Sequence, residues 1–462
     1  MVFFMQTGFA MLEVGTVKSK NTQNILLKVI NIPNCQPQVK SSKIDHAFLS
    51  QNVLDASLGA IVWWVVGYGL NGGAGHGGDD NMTLLGGSKF ATINDEFDDN
   101  GGYGVTSAPG YGPAGYLWAG WLFQWAFSAA TATIVSGAVA ERCTFTAYLI
   151  YSVCLTGFIY PVVAHSGWNV QGWASAWRET ELIFGCGVID FAGSGVVHMT
   201  GGVAAFWGAF FCGMRRDTTE TKDPYAAVFR TLGVLILWTG WYGFNAVSTL
   251  YIVGYGLVAA KTMVTTTLAA GAGAVSTMFL DYATNGGKAI SLNMANNGVL
   301  AGLVAITSPC STCDAYGAII IGIGAAPVYL LADKMLKALK IDDVVGAAPV
   351  HGFCGAYGVL MAAVFATPAN YANAYYSARA EKCAGIFYGG DGSSLAAGFM
   401  FICFVLAWTS FFSCAIFGTL NFMQLLRAKP EVEELGMDAS EHGVQPSTGI
   451  TSTSAKAPED TI

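Results

Sequence analysis

The chain has 462 residues, 53% of them apolar and only 11% charged, where soluble globular proteins carry roughly 25% charge. That composition excludes a soluble domain and marks a one-domain polytopic protein whose solvent is the lipid bilayer. The net charge of −8 identifies no partner, because Asp and Glu concentrate in loops and tail; nothing calls for a nucleic acid, cofactor or metal.

In chain order, residues 1–17 are apolar but too short to span, so the first helix reads as truncated at its start. Lys18, Lys20 and Asn21 end it. A second helix begins near Asn24, is interrupted, and resumes from Asn52 to Leu70. Residues 71–112 form a Gly-rich, acidic extracellular loop in which Asn81-Met-Thr83 is an N-glycosylation sequon with Asn81 as acceptor. Apolar spans follow at about 113–139, 145–164, 190–213, 226–248, 252–281, 290–308, 315–335, 349–367 and 394–426, close to the ~20 residues a spanning helix needs. The expected architecture is all-α, with eleven transmembrane helices in a domain over 1–427 and a cytoplasmic regulatory tail over 428–462, its end disordered. Cys310-Ser-Thr-Cys313 is the one close cysteine pair, a loop disulfide or nothing rather than a zinc site.

Lys18, Lys20, Arg142, Arg215, Arg216, Lys288, Lys334, Lys337 and Arg427 fall in alternate loops or the tail. By the positive-inside rule the N-terminus is outside and the C-terminus cytoplasmic. Two five-helix units in tandem then have opposite topology, an inverted repeat with an eleventh helix added.

A pattern recurs within those units. Asp190-Phe-Ala-Gly-Ser-Gly-Val-Val-His198 and Asp343-Val-Val-Gly-Ala-Ala-Pro-Val-His351 place a histidine eight residues after an aspartate. At helical rise that is about 12 Å deeper, and ionisable groups at membrane depth mark polar paths. One histidine alone is more simply a satisfied core residue; the repeated pair points to a pathway. Asp190 reads equally as a helix cap and as a functional acid. Aromatics accompany them: Phe123-Gln-Trp-Ala-Phe127 in helix three, His165-Ser-Gly-Trp168 in the loop after helix four, and Trp241-Tyr-Gly-Phe-Asn-Ala-Val-Ser248 in helix six. Aromatic faces attract cations, and no row of charges lines any span, so the path suits a small species able to shed a proton. Glu13 and Asp55 read as structural partners of backbone or Asn groups.

With these motifs, together with Gly137-Ala-Val-Ala-Glu-Arg142, Val350-His-Gly-Phe-Cys-Gly355, Lys20-Asn-Thr-Gln-Asn24 and Gly436-Met-Asp-Ala-Ser-Glu-His-Gly443, the chain resembles the ammonium transporters of the ammonium transporter, methylammonium permease and Rhesus superfamily, and among them the plant and algal high-affinity branch. The resemblance covers nearly the whole chain. It implies no enzyme but a plasma-membrane homotrimer, each subunit carrying ammonium or methylammonium through its own pore. Phe127, Trp168 and Ser248 would recruit NH4+, Phe123 and Phe244 would stack as the gate, His198 and His351 would form the pore pair, and Asp190 would serve the entrance. A Rhesus-type NH3/CO2 channel and an ammonium sensor are the alternatives; Trp168 favours ion capture. Ser440 aligns with a phosphorylation switch, which a kinase acting on the tail would throw; an unmodified, solvated serine is the other reading. Residues 29–51 interrupt what otherwise reads as the family's second helix, and are expected to be a retained intron rather than a genuine insertion; sequencing spliced transcripts across Lys28 and Asn52 separates the two.

Overall fold

The structure is a computed structural model and describes residues 1–22, 51–72, 82–87, 89–93, 113–219, 223, 225–251 and 253–442. The interruption at 29–51, the sequon at Asn81 and the tail beyond 442 lie outside these, save that residue 51 opens a helix. No strand forms among the described residues; there are only isolated bridges. Long apolar runs leave the backbone no solvent for its amides, and a helix satisfies them within one segment.

A 3-10 turn, Val2–Phe4, leads into α1, Met5–Val14. Residues 51–71 form α2, broken by a π turn at Trp63–Gly67. Then come α3, Pro113–Val139; α4, Phe145–Trp168; α5, Ser194–Cys212; α6, Ala226–Ala246; α7, Gly256–Thr284; α8, Leu292–Thr307; α9, Ala315–Ala338; α10, Ala348–Phe365; and α11, Ser393–Phe422. Seven of these, α3, α4, α5, α7, α9, α10 and α11, are long and apolar enough to cross a membrane. Thr144 caps α4 and Ser291 caps α8, each accepting an amide of the first turn.

Most expected limits hold within a few residues, with two differences. His165 to Trp168 are the last turn of α4 rather than a loop. Asp190 precedes α5, which starts only at Ser194.

At the centre α5 packs against α3, α10 and α11, while α1 lies along α6. Of the apolar window of α11 only 22% is buried, and of α7 33%. Such apolar outer faces fit lipid or a further copy, not water.

One end of the bundle is tied by charge. Arg142, fully buried, donates to the carbonyls of Ala138, Ala140, Gly213 and Asp342. Arg215 pairs with Glu141 and takes Asp342 in a fork, Nε and Nη2 at 2.8 and 2.9 Å. Burial pushes the Asp342 carboxyl up, but the Arg215 guanidinium outweighs it and holds it below its usual range. The opposite end carries a disulfide, Cys186–Cys383, joining positions 197 residues apart. The pair singled out from spacing, Cys310 and Cys313, is buried and free.

Candidate functional site

Two loops of the same design deliver the histidines. After Asp190 the chain turns at Gly193, whose φ of 105° suits glycine alone, and α5 opens with a π turn over Ser194–Met199. After Asp343 comes Gly346 at φ 73° and a π turn over Ala348–Phe353 that opens α10. Each aspartate folds onto the helix start it precedes. Asp190 accepts from the amides of Gly193, Gly195 and Val196 at 3.2, 3.1 and 2.8 Å, and Asp343 from that of Ala348 at 2.7 Å. A carboxylate there satisfies amides without an intrahelical partner and meets the positive end of the helix dipole. The eight-residue offset is therefore loop plus one π turn. It is not a helical descent of about 12 Å, because left-handed Gly193 interrupts the helix.

His198 and His351 meet with Nδ1 atoms 3.2 Å apart, ring centroids 5.2 Å apart and planes inclined by 26°. Both are buried, at 0% and 4% exposure. Their helices come this close at a crossing of glycines: a Cβ on Gly202 would stand 2.0 Å from the Gly352 nitrogen. With one proton between the Nδ1 atoms, one ring donates and the other accepts, so their Nε2 atoms present opposite characters. Nε2 of His198 has no hydrogen-bond partner among the described residues. Trp241 and Phe244 stack on the His198 ring at 4.9 and 5.2 Å. Trp241 is held there by its Nε1–H, donated to Thr307 Oγ1 at 2.8 Å.

On one side of the pair, Phe244 stacks on Phe127 at 4.0 Å. The expected partner was Phe123, which instead touches Phe127 from above, centroids 4.5 Å apart. The reason is the i, i+4 offset on α3: Phe127 lies one turn deeper, fully buried, while Phe123 is half-buried. Trp168 meets Phe127 edge-on at 5.5 Å. Phe123, Trp168 and Ser248 line a first vestibule of about 220 Å3, joined by Trp177, Tyr251 and Tyr375. The Trp168 indole is fixed by its N–H, donated to the Asp190 carbonyl at 2.7 Å. The Ser248 hydroxyl donates to the Phe244 carbonyl at 2.8 Å, leaving its oxygen free to accept.

On the other side His351 lines a cavity of about 10 Å3 with Glu13, Val345 and Gly346. Val345 and Gly346 also line a second vestibule of about 410 Å3, which holds Arg215, Asp342 and Asp343. Vestibule, phenylalanine stack, histidine pair, small cavity and second vestibule thus follow one another. Asp190 belongs to the first end and Asp343 to the second, so α5 and α10 enter from opposite faces.

Of the other named residues, Asp55 and Ser440 stand off this line, whereas Glu13 lines its small cavity. Asp55 is held by hydroxyls, Tyr148 at 2.7, Ser152 at 2.9 and Thr133 at 3.0 Å, not by backbone or Asn groups as expected. Glu13 accepts from Ser136 at 2.6 Å. Ser440 is exposed on the short helix Met437–His442, its hydroxyl on the Gly436 carbonyl at 2.9 Å. That tail segment rests on its own chain: Met437 N–H donates to Asn21, Lys20 donates to the Glu433 and Glu434 carbonyls, and Arg427 forks onto Glu433. Trp241 had been read as a pathway aromatic, but its place on the histidine ring was not foreseen. Trp177 and Tyr375 were missed altogether, coming from segments with no motif of their own.

The sequence model of the Ammonium Transporter Family matches residues 36–446. Ammonium transporter 1 member 2 of Oryza sativa subsp. japonica is 39% identical over 451 residues, covering 93% of this chain and 80% of the relative. Ammonium transporter 1 member 1 of Arabidopsis thaliana is 38% identical over 94% of this chain and 80% of its own length. Among solved structures, a Sensor Amt Protein superposes with TM-score 0.74 at 27% identity over 95% of both chains. Saccharomyces cerevisiae Mep2 shares the fold, with TM-score 0.71 at 22% identity over 93% of this chain and 85% of that one. The chain belongs to the ammonium transporter family, a family of multi-pass membrane transporters and not of enzymes.

Proposed function

We propose that this chain moves ammonium across the plasma membrane by capturing the cation in the first vestibule, where water takes one of its protons, and passing it inward as ammonia between the two histidines. The observation that carries this reading is the unbroken order from the first vestibule through Phe127/Phe244 and His198/His351 to the second vestibule. Phe123 and Trp168 offer ring faces to a cation, and Ser248 offers an oxygen for one N–H. Asp190 serves by position: its carbonyl holds the Trp168 indole and its carboxylate holds the helix start that carries His198. Past the Phe127/Phe244 gate the walls are apolar, and an ion stripped of water there costs several kcal/mol. Ammonia, which both donates and accepts, matches the opposite Nε2 characters of the pair.

On this reading the first vestibule is extracellular and the second cytoplasmic, eleven helices span, the two five-helix halves are inverted, and three copies assemble through the apolar faces left bare. Ser440 is the tail's modification point: phosphate adds up to two negative charges to a segment that already carries Asp438 and Glu441, and repulsion among them would undock the tail from a neighbouring subunit. Ser440→Asp should lower uptake several-fold at equal surface abundance; wild-type uptake would count against the switch. Likeness to a Sensor Amt Protein supports sensing without transport as the second reading. Labelled methylammonium uptake, in cells lacking their own ammonium transport, separates the two. Uptake that falls at least about tenfold, or loses its selectivity, in His198→Ala and His351→Ala supports the pore; absence of uptake in wild type favours the sensor.

A further inference from the structure

Glu13 sits where the proposed path leaves the histidines. The cavity it shares with His351 measures about 10 Å3, room for one water-sized molecule. Phe9, Leu12, Ile134 and Val350 make most of its wall apolar, Thr133 adds a hydroxyl already bonded to Gln6 and Asp55, and of the lining residues only Glu13 and His351 ionise. The Glu13 side chain is 2% exposed. A carboxyl at that depth in a bundle is costly to keep and faces an interior path when it has a use there. It is held from behind: Ser136, which does not line the cavity, donates to Oε1 at 2.6 Å. The neighbouring Gly137 leaves room for it, since a Cβ there would stand 3.1 Å from that oxygen.

We infer that Glu13 is the exit-side group for the substrate, its carboxylate accepting N–H bonds from ammonium between His351 and the second vestibule. Ammonia leaving the pair takes a proton from hydronium in that vestibule; an N–H bond forms as an O–H bond breaks, water is released, and the carboxylate stabilises the cation formed. The inference rests on the pore reading above. It makes Glu13 a determinant of affinity on one face of the membrane only.

The test applies labelled methylammonium in turn to each face, using right-side-out and inside-out membrane vesicles from cells expressing the full chain, and reads the half-saturating concentration of its uptake. Glu13→Gln keeps the Ser136 bond, because the amide oxygen accepts it, but removes the charge. It should raise the half-saturating concentration about tenfold from the second-vestibule face, the loss of one charged hydrogen bond, and less than about twofold from the other. Glu13→Asp, with its carboxylate drawn back, should shift the same face by about threefold, and Ser136→Ala should leave both faces within about twofold. A Gln variant that behaves as wild type from both faces overturns the inference. So does a Ser136→Ala variant that reproduces the Gln defect, because the carboxyl would then only tie α1 to α3. Should the Gln variant not reach the surface, the Asp variant decides: a one-sided shift supports the inference and none overturns it. His351→Ala is measured in parallel. If it is impaired while both Glu13 variants are normal, Glu13 alone loses its role; if it too is normal, the pore reading falls.

Discussion

On the proposed pathway, two phenylalanines one helical turn apart on α3 divide the work of the entrance. Phe127 is fully buried and stacked at 4.0 Å on Phe244, and on the proposed reading it closes the path; Phe123 faces the vestibule. The i, i+4 spacing was legible in the sequence, but which ring lay deeper was not, since both lie on one face and only the partner helix α6 decides. Phe127→Ala should therefore change what passes, cutting ammonium uptake about tenfold or admitting potassium. Phe123→Ala should weaken capture, raising KM by about two- to fivefold, the worth of one exposed cation–π contact. Uptake kinetics of both variants check this; the reverse pattern would return the gate to Phe123. The role of Asp190 was half legible. The carboxylate before a helix start announced a cap, whereas the bond from Trp168 to its carbonyl spans two segments and had no signature.

The elements α5 and α10 bring the histidines together, and their crossing depends on having no side chain at Gly202, where a Cβ would stand 2.0 Å from the Gly352 nitrogen. Gly202→Val should force the helices apart, costing about 1–3 kcal/mol, as overpacking does, and should separate the Nδ1 atoms. A fall in Tm of the purified protein with loss of uptake is the expected outcome; unchanged Tm and uptake would deny the crossing. The Asp-to-His repeat forecast these two elements, but not the left-handed glycines or π turns that shorten the descent, which local spacing cannot express. The second-vestibule end makes a pH-dependent contribution. Asp342 is held below its usual range by Arg215 despite its burial. Its share of stability is thus present above the unfolded value near 3.9 and is lost as pH falls through the lower folded value. Thermal unfolding of Asp342→Asn should show lower Tm at neutral pH, converging with wild type below about pH 4; a difference constant down to acid pH would contradict the Arg215 pairing.

At the scale of the whole molecule, composition and run length were enough for an all-helical membrane bundle, because lipid leaves few alternatives. The disulfide was not legible: Cys186 and Cys383 lie 197 residues apart, whereas Cys310 and Cys313, close in sequence, stay free. Only the fold brings the first pair together. Nor did spacing reveal the vestibules, whose walls gather Trp177, Ser248 and Tyr375 from separate segments. On the proposed reading these pieces make together a path narrow and apolar enough at its middle to exclude a charged ion of similar size while ammonia passes. The direct test is tracer uptake by liposomes holding the purified protein, of labelled methylammonium and, separately, of potassium. Wild type should take up methylammonium and not potassium, and His198→Ala or His351→Ala should either abolish methylammonium uptake or admit potassium. Methylammonium uptake of wild-type size and selectivity in both histidine variants would contradict the account.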